Sequence, residues 1–501
     1  MKNTLFILIL IFSSCSFKNR GKAIEELENW LEQNRNVYSY CVIIPGAGCE
    51  GCILNTENLV REYYDRSDVL FVFTRIETLK LLKYKLGEEV SSSNNILFDT
   101  ENCFEEVADG ENNIYPVVCM IKNNKVVDWQ YVSPEQKRDV IGDLKKELDS
   151  RSAYTIDLRD YLDSSKKDEI ALNALLDSLE YVPLQTPDEL PVDVLLSVKI
   201  SEDYIYVLDK QQRLYRFNRM GIFLNLIGNK GPGPEEYLNV VDFDVDEDKG
   251  VVYLFDNYKH KIMSYQVSGN FMHSLNVPKG VINVALNKDC GFIGYRPWYA
   301  SADKKNQLLL FDESLDKIKT LDVGEPYMED VKVDIFRMAR FDGLNERLVV
   351  CVPFDDVIYS FSKDKIEQYI HINQGEYLLP KEVAGNTNLY NNNLTSSYIF
   401  ELNTVQARRF VYLSFFYKME HYRVVYDMIL SAFYTISVGR KPKGIINDMD
   451  GGASFWPLWF ESNCVVGVIS PELLDCSDEK TKVIYEKFKT MDNPVLQIGY
   501  Y

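Results

Sequence analysis

The chain has 501 residues, too many for one common domain and enough to bury more than one core. Its 55 basic residues stand against 75 acidic ones, and the net charge of −20 repels phosphate backbones and excludes nucleic acid as a partner. Ten cysteines are too few for a disulfide-built scaffold at this length, so the fold has to rest on apolar cores.

Lys2 opens a short basic start, Leu5 to Phe12 is an unbroken apolar run, and Ser13-Ser14-Cys15 follows at once. The run is shorter than the roughly 20 residues a membrane span needs and has the form of a secretory signal core. Small residues directly before a cysteine resemble the bacterial lipoprotein processing site. That resemblance implies a signal over residues 1–15, with Cys15 lipidated as the new amino terminus and holding the protein to a membrane. Acyl chains contribute about 0.8 kcal/mol per buried methylene, so two or more suffice without a spanning helix. A cleaved ordinary signal is the alternative, and both predict export. Ser16-Phe17-Lys18 carries no acidic cluster, which points to the periplasmic face of the outer membrane.

From residue 22 to 150 the pattern alternates between helix and strand. Ile24, Leu27, Trp30 and Leu31 repeat at helical spacing, and Tyr38 to Ile44 is a buried-strand run. Pro45-Gly46-Ala47-Gly48 leads into Cys49-Glu50-Gly51-Cys52, and Ile53, Leu59, Val60 and Tyr63 then suit a helix. Val69 to Phe73 reads as a strand and Thr78 to Leu86 as a helix. After Tyr115-Pro116 come Val117 to Ile121, a turn at Asn123-Asn124, and Val126 to Tyr131. Ser133, Pro134 and Gln136 have the order of a capped helix start, with Val140, Ile141, Leu144 and Leu148 as its apolar face. Alternation of this kind predicts a central sheet with helices on its faces.

Cys49 and Cys52 carry the most chemistry. A thiol in the first turn of a helix meets the positive end of the macrodipole, which favours thiolate and improves the sulfur as nucleophile and leaving group. The order strand, Cys-x-x-Cys, helix, strand, helix, proline, hairpin and terminal helix resembles the thioredoxin fold. The resemblance implies that Pro116 is cis and lies against the pair, that Cys49 attacks, and that Cys52 resolves. Glu50-Gly51 stands where that family more often has Gly-Pro, and no tryptophan precedes Cys49. The anionic Glu50 opposes a nearby thiolate, so a reducing or neutral pair is expected rather than a strong oxidant. The alternative is a fixed disulfide that clips the loop. Zinc lacks its partners, since all four histidines (His260, His273, His371 and His421) lie far along the chain.

Residues 151–180 are charged and helix-prone, with Leu172, Leu175, Leu176 and Leu179 on one side, and read as a helical connector. Beyond them short aromatic-rich runs alternate with Gly, Asn and Asp, the pattern of an all-β region. Ile205-Tyr206-Val207-Leu208-Asp209 recurs 47 residues on as Val252-Tyr253-Leu254-Phe255-Asp256. Phe217, Tyr265, Phe311, Phe361 and Tyr426 step by 48, 46, 50 and 65. A recurrence near 50 fits a four-stranded propeller blade, and residues 181–501 then hold about six.

Ile227-Gly228-Asn229-Lys230-Gly231-Pro232-Gly233-Pro234-Glu235-Glu236-Tyr237, then Asn447-Asp448-Met449-Asp450-Gly451-Gly452 with Phe455-Trp456-Pro457, and finally Asp492-Asn493-Pro494, resemble the six-bladed β-propeller lipoproteins of Bacteroidetes, with NHL-like repeats. The fold class expected is therefore multidomain, α/β followed by all-β: a thioredoxin-like domain and then a six-bladed β-propeller whose two ends pair. Asp242, Asp244, Asp246 and Asp248 superficially suggest a calcium loop, but alternating Phe243 and Val245 make them the outward polar residues of a strand that ends in an Asp-Lys-Gly turn. Trp298, Trp456 and Trp459 read as core before ligand platforms.

The function expected is a lipid-anchored envelope binding protein. Its propeller engages a protein, peptide or glycan, and Cys49/Cys52 supply thiol-disulfide exchange. A non-enzymatic propeller with a static disulfide is the alternative. No cofactor or metal is implied.

Overall fold

Stripes at helical spacing and period-two apolar runs sort the chain into two units, divided between Asp149 and Ser150. The computed structural model describes residues 21–34, 37–107, 113–136, 138–150, 152–164, 168–287, 291–324, 339–344, 347–362, 365–380, 396–440, 443–461, 463–469 and 493–501. Cys15, Cys290 and Cys476 lie outside the described residues.

In the first unit α1 (Lys22–Asn34) buries Ile24, Leu27 and Leu31 completely along one stripe. Then follow β1 (Tyr40–Pro45), α2 (Glu50–Tyr63), β2 (Val69–Thr74), α3 (Leu79–Leu86), α4 (Glu88–Ser91), β3 (Ile96–Phe98), β4 (Val117–Lys122), β5 (Lys125–Tyr131) and α5 (Val140–Ser150). The sheet order is β3-β2-β1-β4-β5, with β1 parallel to β2 and antiparallel to β4. Every position of β1 and β2 is buried, because both faces of the sheet are covered. Cys41 and Ile43 turn toward α1, while Tyr40, Val42 and Ile44 turn toward α2 and α5. Asn123 and Asn124 both hold left-handed φ, 55° and 56°, as a tight two-residue hairpin requires.

The last helix begins later than its sequence suggests. Ser133 accepts the Glu135 amide at 3.3 Å in a turn, and Asp139 takes the capping position by accepting the Gly142 amide at 2.9 Å. A carboxylate next to the apolar stripe outcompetes the serine farther away.

The second unit opens with β6 (Tyr154–Asp157), α6 (Leu158–Asp163) and β7 (Ser178–Pro183). Blade 1 is β8 (Leu195–Ile200), β9 (Tyr204–Asp209), β10 (Leu214–Asn218) and β11 (Phe223–Leu226). Blade 2 is β12 (Val240–Asp246), β13 (Val251–Asp256), β14 (Lys261–Gln266) and β15 (Phe271–Asn276), and blade 3 is β16 (Asn283–Asn287), β17 (Gly291–Arg296), β18 (Asn306–Phe311) and β19 (Lys317–Val323). Blade 4 is β20 (Arg340–Leu344), β21 (Arg347–Cys351), β22 (Val357–Ser362) and β23 (Lys365–Asn373), and blade 5 is β24 (Phe400–Ala407), β25 (Phe410–Tyr417), β26 (Glu420–Asp427) and β27 (Ala432–Gly439). Blade 6 joins β28 (Trp459–Glu461), β29 (Cys464–Ile469) and β30 (Val495–Tyr500) to β7. The ring is a six-bladed β-propeller.

The five aromatics that mark the repeat all sit on the third strand of their blades and are buried. The long last step reflects the excursion between β23 and β24. Closure follows from Val182 on β7 pairing with Leu496 on β30, which removes a free edge.

Residues 151–180 do not form the expected helical connector. Among its described residues only α6 and one turn at Leu172–Ala174 are helical. Ile156 pairs with Ile372, so β6 becomes a fifth strand of blade 4. Next the Thr435 amide of blade 5 donates to the Asp168 carbonyl at 2.8 Å, and the Leu172 amide donates to the Ile446 carbonyl at 3.3 Å before β7 enters blade 6. The segment straps three blades, because edge-strand hydrogen bonding and burial of Leu172, Leu175 and Leu176 outweigh a modest helix propensity.

Candidate functional site

Past the carboxyl ends of β1 and β2 the chain turns through Gly46 to Gly48 and enters α2. A Cβ on Gly46 would meet the Arg75 carbonyl oxygen at 2.3 Å, and one on Gly48 would meet the Ile114 carbonyl oxygen at 2.1 Å. Backbone therefore packs on backbone at this edge. Cys49 occupies the N-cap of α2 with extended geometry, and its amide donates to Ile114 O at 3.0 Å. The first helical bond runs from the Ile53 amide to Cys49 O. Cys49 and Cys52 form a disulfide with Cα atoms 5.4 Å apart. Cys52 is buried and Cys49 is partly exposed.

Pro116 stands two residues beyond Ile114, buried at the start of β4, and its carbonyl accepts the Val132 amide at 2.7 Å. Arg75 steadies the approach by donating to Asn113 O at 3.1 Å while its Nε lies 3.4 Å from Glu105. The structure thus brings the Cys49/Cys52 turn against the loop that carries Pro116. The Tyr115–Pro116 bond is trans, contrary to the expected cis form; no cis peptide occurs among the described residues. Trans is the intrinsically favoured isomer, and the loop already reaches Cys49 through Ile114. Leu54 and Ile114, about half exposed, give the neighbourhood an apolar surface.

Of the remaining cysteines, Cys41, Cys119 and Cys464 are buried and outside any disulfide, whereas Cys103 is exposed and Cys351 half-buried. Burial pushes the Cys41, Cys351 and Cys464 thiols up, which makes them poor nucleophiles.

In the propeller a cavity of about 510 Å³ opens between blades 4 and 5, on the face where β20 and β24 begin. Arg340, Cys351, Phe354, Glu401, Thr404 and Phe416 are among its lining residues. Its size suits a small ligand or a peptide side chain. Arg340 Nη2 donates to Cys351 Sγ at 3.7 Å, and Cys351 Sγ is 3.5 Å from Thr404 Oγ1. Sequence reasoning missed this cavity because its lining comes from short segments spread over two blades with no local motif.

The glycine-rich motif is a loop from β11 to β12. The Gly231 amide donates to Tyr237 O at 2.9 Å, Lys259 Nζ to Gly233 O at 2.6 Å, and Tyr265 Oη to Glu235 O at 2.8 Å. In the second motif Asn447 donates to Tyr181 Oη at 2.9 Å, Asp450 accepts the Gly452 amide at 2.8 Å within the turn, and Asp448 accepts the Asn173 amide at 3.0 Å. Trp298 and Trp456 are buried, with Arg423 stacked 4.9 Å from the Trp456 ring, and Trp459 is partly buried on β28. Asp246 accepts the Lys249 amide at 3.1 Å in the turn after β12. Asp242 and Asp244 lie on β12, half-buried, with Asp244 2.6 Å from Lys199 Nζ of β8 and accepting the Leu286 amide of β16, so they do not simply face outward. No group of three or more His, Cys, Asp or Glu among the described residues is placed to hold a metal.

Residues 153–500 match the family described as a domain of unknown function, DUF4934, and the chain belongs to that family. Among solved structures, a Bacteroides fragilis protein provisionally described as exported is similar over 66% of this chain and 97% of its own, at 20% identity and a TM-score of 0.54. A DUF4221 family member from Bacteroides vulgatus matches over 55% of this chain and 88% of its own, at 11% identity and a TM-score of 0.35. The first likeness supports the propeller fold alone. No curated protein matches the sequence.

Proposed function

We propose that this DUF4934 member is an exported, lipid-anchored binding protein whose propeller engages an envelope or extracellular protein, peptide or glycan, and whose Cys49/Cys52 pair exchanges disulfides with what it holds. Cys15 carries the lipid, and the protein sits in the cell envelope on the periplasmic face of the outer membrane. Export is supported by the signal-like start and by the description of the Bacteroides fragilis relative. The blades are read as NHL-like and the first unit as thioredoxin-like. Support for the latter comes from the order β3-β2-β1-β4-β5, with the cysteines leaving the central strand and Pro116 leading into its antiparallel neighbour.

One observation carries the redox half: a partly exposed Cys49 at the amino end of a 14-residue helix, beside a loop that ends in proline. In the reducing direction the Cys49 thiolate attacks a partner disulfide, forming a mixed disulfide and releasing one partner thiolate. Cys52 thiolate then attacks Cys49 Sγ, releasing the second and leaving the intramolecular disulfide, with the partner reduced by two electrons. An external dithiol returns the pair to its reduced form.

Cys52→Ser removes the resolving sulfur and retains the nucleophile. Expressed in the exported full chain, it should accumulate mixed disulfides that vanish on reduction and are missing from Cys49→Ser. If neither adducts nor dithiol-dependent reduction of a model disulfide occur, the second reading holds: a propeller that binds, with a disulfide that only clips its loop. Burial of Cys52 favours that second reading.

A further inference from the structure

Two segments that line the cavity between blades 4 and 5 depart from relaxed backbone geometry. Between β21 and β22 the Asp355 amide donates to Val352 O at 3.3 Å, closing a turn in which Pro353 leads and Phe354 holds φ 62°, a conformation that favours glycine. On β24 the register with β25 shifts between Phe400 and Asn403, and Glu401 sits in that bulge at φ 52°. Phe354 and Glu401 both line the cavity. Bulges and left-handed residues of this kind gather at ligand sites, where they re-aim side chains.

Inside, two polar side chains hold hydrogen-bonding capacity that the protein does not use. Gln374 is 5% exposed and lines the cavity, and its carboxamide makes no hydrogen bond with any described residue. A buried amide without a protein partner is costly, so one that borders about 510 Å³ of space is satisfied by what enters it. Arg340 is half used. Its Nε lies 2.6 Å from Asp342 Oδ2 and its Nη2 donates weakly to Cys351 Sγ at 3.7 Å, while Nη1 has no acceptor among the described residues. Much of the remaining wall is apolar, with Val352, Ile399 and Phe400 buried and Phe416 and Met419 exposed.

Charge and polarity choose the occupant. Arg340 is already balanced by Asp342, and Asp355 and Glu401 line the same space, so an anion would add to an excess of carboxylate. A cation finds no better place: Asp355 accepts from Tyr359 Oη at 3.0 Å and from the Val357 amide at 3.2 Å, and Glu401 is exposed. A sugar would bring many hydroxyls to a wall with few uncommitted partners, and each one left unmet is costly. A neutral amide flanked by an apolar side chain suits all of these constraints. Its carbonyl can accept from Arg340 Nη1, the Gln374 carboxamide can both donate to and accept from the amides beside it, and the side chain can pack on the phenylalanine rings.

We propose that this cavity is a peptide pocket that takes a large apolar side chain of a partner polypeptide, with Gln374 and Arg340 reading the adjoining main-chain amides and Phe416 packing on the inserted side chain. The assignment rests on the reading of the propeller as a binding body and names the class of its ligand. Ligand-observed NMR titration of the full chain would use N-acetylphenylalanine methylamide as probe, with N-acetylglycine methylamide, 3-phenylpropanol, 3-phenylpropionate and maltose as controls. Saturable binding of the phenylalanine amide is expected, about tenfold or more tighter than any control, because the pocket needs both amide and ring. Gln374→Leu keeps the volume and removes the carboxamide, and should weaken binding about fivefold or more. Phe416→Ser, at an exposed position, should do the same and guards against a folding defect confined to the buried one. Circular dichroism should show both variants folded. Absent binding of the phenylalanine amide, equal binding of phenylpropanol or of the glycine amide, or unchanged affinity in both folded variants would each overturn the proposal. Tighter binding of maltose or phenylpropionate would overturn the peptide assignment while leaving the propeller a binding body. Mixed disulfides formed by Cys52→Ser should persist in Gln374→Leu, so failure of this pocket is separable from failure of the redox reading.

Discussion

Asp256, the last residue of β13, accepts the Leu238 amide at 2.6 Å and so ties the end of the second strand of blade 2 to the loop that delivers its first. The same carboxylate accepts the Tyr258 and Lys259 amides at 3.0 Å, closing the turn into β14. Asp209 plays the equivalent part in blade 1, accepting the Arg213 amide at 2.9 Å. The recurring aspartate of the sequence repeat is thus a joint between loops, and its burial is tolerated because donors surround it.

Replacing Asp256 with Ala removes the acceptor of four partly buried amides, those of Leu238, Asn239, Tyr258 and Lys259. The expected loss is about 3 kcal/mol, with Asn costing less because one acceptor oxygen remains. Urea unfolding followed by tryptophan fluorescence would check it. A midpoint equal to that of the parent would mean the amides find water instead.

How much of this was legible beforehand depends on whether the deciding interactions were local. Ile24, Leu27 and Leu31 declare a helix, and Phe217, Tyr265, Phe311 and Phe361 declare blades, because spacing along the chain equals spacing on a face. Ile156 and Leu172 misled, since their partners Ile372 and Ile446 lie far away in sequence and edge pairing overrode helix propensity. Asp242 and Asp244 lie on a strand as their alternation indicates, but Asp244 pairs with Lys199 of β8 and the Leu286 amide of β16 instead of facing outward, because periodicity cannot tell solvent from a neighbouring blade. Cys49 and Cys52 were found by spacing alone, whereas the cavity near Arg340 needed the fold.

The strap offers a second prediction. Ile156 is fully buried where β6 meets β23, and truncation to Ala should cost about 2–4 kcal/mol. Its distinguishing sign is local: hydrogen exchange should quicken at the backbone of residues 154–157 and 370–373 before the rest of the ring. Uniform acceleration across all blades would argue that the strap and ring open together.

Cys41 and Cys119 face each other in register across β1 and β4, neither in a disulfide and both fully buried. Burial, then its neighbour Cys119, raises the Cys41 thiol well above the ordinary range. Alkylation mapped by mass spectrometry should therefore leave both untouched until unfolding, while exposed Cys103 reacts in the native protein. The Cys103 thiol is itself raised, by local desolvation and by the carboxylates of Asp99 and Glu101, so its labelling should accelerate as pH rises. Native labelling of Cys41 would mean that the β1–β4 pairing opens.

Glu461 makes stability depend on pH in a predictable direction. Its folded value, pushed to about 8 chiefly by burial, lies above the ordinary glutamate value. Both states are protonated in acid, where the contribution is complete. As pH rises past the unfolded value the unfolded chain ionises first, the folded state keeps its proton, and stability falls until the folded carboxyl ionises near 8. Asp242, raised to about 6, adds a loss of the same sign ending at lower pH. Gln at position 461 cannot ionise, so Glu461→Gln should match the parent near pH 5 and exceed it increasingly toward about pH 9, by roughly 3 kcal/mol or less. Thermal midpoints of the two proteins across that range would decide it. Parallel curves would show that Glu461 is ionised and compensated in the folded ring, in which case a cation other than Lys199 already stands beside it.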